Sequence, residues 1–178
     1  MIRKYLNRRT RNVLQQYVAK DALEAITQGK LDDDDCRRLI PASIELVIAE
    51  VDGPAPEVVS ERMGQVADIA SKHGGVVVTL ISSIVIIAFG MLSNREERSG
   101  NRFTLAKELA EQLATNVKII HCARDGVYGN VGNLRRMSYG FVVPRFVEMM
   151  GLLASMKFGE TRDLGADPLN RQPAPIES

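Results

Sequence analysis

Between Gly74 and Leu92 the chain carries no charged side chain, and the run GGVVVTLISSIVIIAFGML must leave water in whatever the protein folds into. It either crosses a membrane as a helix or is buried inside a globular fold. Residue choice separates the two. Val76, Val77, Val78, Thr79, Ile81, Ile84, Val85, Ile86 and Ile87 are β-branched, which favours strands over helix. Ser82-Ser83 divides the run into two pieces of strand length, and Gly74, Gly75 and Gly90 punctuate its ends. The segment reads as a buried central hairpin, so no transmembrane span is expected.

A chain of 178 residues fits one domain with a real core. Twenty-three basic side chains against 22 acidic ones leave a net charge of +1, so no global field favours nucleic acid or a membrane surface. Arg3, Lys4, Arg8, Arg9 and Arg11 form a locally basic arm, read as a solvated helix start. The two cysteines, Cys36 and Cys122, lie outside any ligand spacing, as expected of a reduced cytoplasmic protein. No signal peptide is evident at the N-terminus. Asp32 to Asp35 is an acidic run without the spaced Gly and terminal Glu of a calcium loop, and reads as solvated.

Periodicity sets the remaining elements. Residues 10–20 read as a helix with Val13, Leu14, Tyr17 and Val18 on one face, and a short second helix runs from Asp21 to Gly29. Ile44 to Val51 reads as the first strand. A helix follows over Glu57 to Lys72, with Val59, Met63, Val66 and Ala70 on one side. After the hairpin and a polar loop over 94–102, Phe103 to Asn116 is helical, with Leu105, Leu109 and Leu113 aligned. Val117 to Ala123 is a strand. The glycines at 126, 129 and 132 imply strand and turn before a strand at Tyr139 to Val143. Pro144 then opens a helix at N1, with Phe146, Met149, Met150 and Leu153 inward.

This order predicts an α+β fold: a ferredoxin-like β-α-β-β-α-β sandwich with an added strand and helix, and helices on one face of the sheet. Residues 1–40 are expected to be a helical segment and linker, 41–160 the principal domain, and 161–178 a flexible tail.

Four segments in order resemble the class III adenylate/guanylate cyclase catalytic domain. They are YVAKDALEAITQGKL, IELVIAEVDG, HGGVVVTLISSIVIIAFG and GNVGNLRRMSYGFVVPRFVEMM, together spanning about Tyr17 to Glu160. The resemblance implies a domain in which two carboxylates fix two divalent cations on a nucleoside triphosphate, completed across a head-to-tail dimer. It places the first-strand carboxylate at Glu50 and the hairpin-tip carboxylate at Ser83, preceded by Ser82. A neutral hydroxyl is a poor substitute for an anionic ligand of a hard cation. The purine-reading lysine falls at Thr79 and its partner at Gly140, while the transition-state Asn and Arg fall at Val147 and Gly151. Pro54 and Pro56 remove two N–H donors from the turn that cradles phosphate in the family.

The expectation is a degenerate cyclase domain without catalytic, cofactor-binding or metal residues, Glu50 being the sole retained metal candidate. Its partner would be a second copy or another cyclase-like signalling protein, and not nucleic acid. Two alternatives stay open. One is a cyclase with a non-standard metal site at Glu50 and Asp52. The other is a non-catalytic ligand sensor in which Arg124, Arg135 and Arg136 greet phosphate. His73 and His121, the two histidines, sit in no nucleophile or metal pattern.

Overall fold

The computed structural model describes residues 39–90, 101–133 and 136–167. The basic arm, both N-terminal helix expectations, the acidic run, Cys36, Arg135 and the chain beyond 167 lie outside them. Elements run β1 (Ile40–Val51), α1 (Pro56–Lys72), β2 (Val76–Ile81), β3 (Ile84–Phe89), α2 (Asn101–Leu113), a 3-10 turn, β4 (Val117–Asn133), β5 (Arg136–Val142), α3 (Phe146–Ser155) and β6 (Thr161–Asp167). The predicted β-α-β-β-α-β order with an added strand and helix is present.

One six-stranded sheet holds these elements together in the order β2-β3-β1-β4-β5, with β6 also on β4. β1 is central, antiparallel to β3 through Glu45↔Phe89 to Glu50↔Ile84 and to β4 through Ile40↔Tyr128 to Val51↔Val117. The uncharged run is the expected hairpin, with Ile81 opposite Ile84 and Ser82-Ser83 as a two-residue loop. Ser82 adopts φ 56°, the positive angle that tight hairpin turns demand at their first central residue.

Both faces of the sheet are buried. On one, Val47, Ala49, Val51, Val85, Ile87 and Ile119 pack against Val66, Ile69 and Ala70 of α1 and Leu105, Leu109 and Leu113 of α2. On the other, Leu46, Ile48, Ile86, Ile120 and Cys122 pack with Met149, Leu153 and Met156. The expectation of helices on a single face is therefore corrected: α3 lies opposite α1 and α2. Its cause is visible in IELVIAEV, where both alternating sets of positions include large aliphatics, so each face needs a cover.

Several boundaries also differ from expectation: β1 begins at Ile40 and not Ile44, β5 at Arg136 and not Tyr139, and three further differences have visible causes. β4 does not turn at its glycines but continues to Asn133, because Gly126 serves close approach: a Cβ there would lie 2.5 Å from the Val142 carbonyl oxygen. α3 begins at Phe146 with Arg145 as its N-cap, so Pro144 precedes the helix and does not occupy N1. Residues 161–167, assigned to a flexible tail, form a strand parallel to β4. That strand shows little periodicity because Leu164 is its one large apolar residue, and its place is fixed by ladder bonds and by Arg102 and Arg124, whose Nη1 atoms lie 3.4 and 3.1 Å from the Gly165 carbonyl oxygen.

The His73-Gly74-Gly75 segment ends α1 in a Schellman motif. Gly75 N–H donates to the Ala70 carbonyl at 2.8 Å and Gly74 N–H to that of Ser71 at 3.1 Å, with Gly74 at φ 71°. A Cβ on Gly75 would sit 2.7 Å from Ile87 Cγ2 and 3.0 Å from the Phe89 ring. Gly75→Ala is expected to cost about 1–3 kcal/mol through this overpacking, read as a lowered urea midpoint. An unchanged midpoint would mean the core absorbs a methyl group there.

Candidate functional site

Of the residues that the sequence singles out, Glu50, Ser82 and Ser83 lie together at one end of the sheet. Glu50 is the penultimate residue of β1, and alternation puts it on the face of Leu46 and Ile48. The hairpin tip lies beside it, since the Val51 N–H donates to the Ser83 carbonyl at 2.9 Å. Ser82 and Ser83 thus stand near Glu50, whose register partner on β3 is Ile84.

Antiparallel register places Lys118 directly opposite Glu50, and the Lys118 ammonium lies 3.0 Å from Glu50 Oε2. Only 7% of the lysine side chain and 22% of the glutamate side chain reach solvent. The Phe158 ring, with its centroid 5.0 Å from the ammonium, covers the lysine from a second side. The carboxylate is therefore already neutralised by a cation that belongs to the chain. Sequence reasoning missed this partner, although a signal exists: Lys118 is the charged residue in the otherwise buried stretch VKIIHC, and a charge on a buried strand demands a counter-ion.

Asp52 does not join Glu50 in a shared site. β1 ends at Val51, and Asp52 turns into the loop, where its Oδ1 accepts the Gly53 N–H at 2.8 Å. Its own N–H donates to the Asn116 carbonyl at 2.9 Å, and its carbonyl accepts from Arg62. α1 starts at Pro56 with Ala55 as an N-cap that offers no side-chain bond. The first turn of that helix therefore lacks the Pro56 donor and a polar cap, and Pro54 removes another N–H just before it, which leaves the turn a weak cradle for phosphate.

Thr79 and Gly140 fall on β2 and β5, at opposite borders of the sheet. Val147 is 82% exposed at the start of α3, and Gly151 is exposed one turn further on. Arg145 precedes them in a left-handed conformation, φ 60° and ψ 21°, and its Nε and Nη2 bond Glu148 Oε2 at 2.8 and 2.7 Å. That hydrogen bond holds the Glu148 carboxyl below the usual carboxylate range.

The histidines have structural surroundings. His73 Nε2 lies 2.6 Å from Glu108 Oε2 and Nδ1 lies 3.4 Å from Thr104 Oγ1, joining the end of α1 to α2. His121 is buried, edge-on to Phe103, with Nδ1 3.4 Å from Asp163 Oδ1. Burial pushes its imidazole below the ordinary histidine range, Asp163 pulls the other way, and Arg102 adds to the depression. Arg124, expected as a loop residue that greets phosphate, is instead buried on β4 and bonded to the carbonyls of Ala123 and Gly165. Cys122 is buried 3.5 Å from Met149 Sδ, and burial raises its thiol pKa, so it is a poor nucleophile.

No protein-family profile matches this chain, and no curated protein sequence matches it. Solved structures do. A bacterial light-regulated adenylyl cyclase superposes with a TM-score of 0.60 at 16% identity, covering 82% of this chain and 49% of that one. The adenylyl cyclase CyaB from P. aeruginosa gives 0.53 at 15% identity, covering 71% and 78% of the two chains. The guanylate cyclase domain of RhGC from Catenaria anguillulae, in complex with GTP, gives 0.55 at 13% identity, covering 68% and 77%. This chain spans about half the length of the light-regulated enzyme. At these identities the likeness is one of fold.

Proposed function

We propose, from a fold shared with the catalytic domains of adenylyl and guanylyl cyclases, that this protein is a cyclase-like module that does not turn over nucleotide and serves signalling by association, in the cytoplasm. One observation carries the reading. The Glu50 carboxylate, the retained candidate for gripping a divalent cation, is ion-paired with Lys118 at 3.0 Å under the Phe158 ring.

The two cations of cyclase chemistry need anionic oxygens spaced to hold them against a triphosphate. Here the first such oxygen is engaged by an ammonium, the second position carries a serine hydroxyl, and Asp52 bonds its neighbouring backbone. The residues present do not fit the metal pair. Val147 and Gly151 likewise have no donor to offer a reacting phosphate, and such donors supply much of the transition-state stabilisation in phosphoryl chemistry.

Association is the function left to this surface. Leu80 and Ile81 at the hairpin tip are 57% and 61% exposed, and Val142 and Val147 at the far side are 50% and 82% exposed. Large apolar side chains at both places suit a head-to-tail pairing, in which the tip of one copy meets the β5–α3 corner of the other. The unit that pairs is proposed to run from residue 41 through β6. Among the described residues no helix is long and apolar enough to cross a membrane.

The test is an assay for cyclic nucleotide with ATP or GTP and Mn²⁺. Product formation no higher than that of a Glu50→Ala variant is expected. Cyclic product clearly above that control would overturn the reading.

A further inference from the structure

We propose that the groove between the start of β1 and the β5–α3 corner is the receptor for the hairpin tip of a second copy, with Asp125 accepting a hydrogen bond from the partner's Ser82. The inference rests on the association reading above and deepens it by naming the receiving surface and the polar contact that sets the register.

The groove is mostly apolar and open. It encloses about 650 Å³ and is lined by Pro41, Val127, Val142 and Pro144 among others, with Ser43 and Asp125 as its polar side chains. Gly126, packed against the Val142 carbonyl oxygen, contributes no side chain to fill it. Pro41, Val142 and Pro144 are exposed, so a small molecule seated here would stay largely in water, whereas small-molecule sites bury most of their ligand. A protruding piece of protein suits this shape better.

The same chain carries such a piece. Leu80 and Ile81 are exposed at the hairpin tip beside Ser82, and the run from Leu80 to Ile87 holds no charge. Placement decides between a contact within one chain and a contact between two. The tip stands beside Val51, at the opposite end of β1 from Pro41, and a strand of this length keeps the two roughly 30 Å apart. Tip and groove therefore cannot meet within one molecule. Two copies set antiparallel about a two-fold axis bring each tip to the other's groove, so one symmetric arrangement covers both apolar patches on both copies. The polar groups match as well. Ser82 offers an exposed hydroxyl donor, Asp125 an exposed carboxylate acceptor, and the tip brings no carboxylate to repel it.

Charge swaps test the contact. Ser82→Asp suits the left-handed backbone at this position and sets a carboxylate against the partner's Asp125, so dimer affinity in a light-scattering concentration series should fall about tenfold. Adding Asp125→Lys to the same chain should return affinity to within about threefold of wild type. If the lysine variant does not fold, as judged by circular dichroism, Asp125→Asn takes its place and should recover part of the loss. Two changes whose effects simply add, with no rescue, would overturn the proposal while leaving association standing. An Asp125→Lys change that alters monomer melting but not dimer affinity would also overturn it, giving the groove to another segment of the same chain. A wild-type monomer at every concentration would remove the association reading and this contact with it.

Discussion

Leu109→Ala is expected to destabilise the protein by about 2–5 kcal/mol, seen as a fall in the urea midpoint with little change in slope. Leu109 has no solvent exposure and sits in the cluster that joins α1 and α2 to the sheet. Truncation removes its transfer free energy and leaves a cavity that Leu105, Leu113 and Val66, themselves 0–5% exposed, have little freedom to fill. Set against a total stability of about 5–15 kcal/mol, the loss is a large fraction of the margin. Val147→Ala is the internal control. At 82% exposure it should shift stability by less than about 0.5 kcal/mol in the monomer. A Leu109→Ala cost below about 1 kcal/mol would mean that α2 is not locked to the sheet as the burial implies.

The second large effect concerns association. If Ile81 and Val147 meet across a head-to-tail pair, Ile81→Asp together with Val147→Asp places a carboxylate in each apolar contact. Dimer affinity should drop by about 100-fold or more, near 1.4 kcal/mol for each tenfold. Light scattering over a concentration series reads this directly, with circular dichroism confirming that the exposed substitutions leave the fold intact. Dimers that persist in the double variant would place the interface elsewhere. A wild-type monomer at all concentrations would remove the association reading. Dimerisation that requires nucleotide would favour a ligand-sensing role instead.

Much of this fold was legible in the sequence, for identifiable reasons. The hairpin was readable because β-branched residues on either side of Ser82-Ser83 leave few conformations open. α1 and α2 were readable because Val59, Met63, Val66 and Ala70, and then Leu105, Leu109 and Leu113, repeat with helical spacing. β6 was not, because a strand held by its ladder and by arginines contacting a carbonyl needs no apolar alternation. The side on which α3 packs was hidden too: its own periodicity marks an inner face but not which surface of the sheet that face meets.

Within the site, the closeness of the end of β1 to the hairpin tip follows from the strand and hairpin readings, and the Val51 N–H does donate to the Ser83 carbonyl. The Glu50–Lys118 pair was not legible, since the two residues are distant along the chain and only strand register brings them together. Asp52 shows the converse. Sequence parity would put it on the same face as Glu50, yet the strand stops one residue earlier and its carboxylate bonds the Gly53 N–H. Arg124 is expected on a loop, yet β4 runs through it and β6, a strand that periodicity does not reveal, presents the Gly165 carbonyl to its guanidinium.

β4 outruns its inner neighbour. β1 accompanies it only as far as Tyr128, and from Gly129 to Asn133 it is paired with β5 alone. A ribbon two strands wide has no third strand to share the load, so its amides should surrender their protons to deuterium long before those of Leu46 to Ala49, which are sandwiched between two partners and two layers of side chains. The molecule is thus graded along one strand, from a region that opens only when everything opens to a projecting end that breathes on its own.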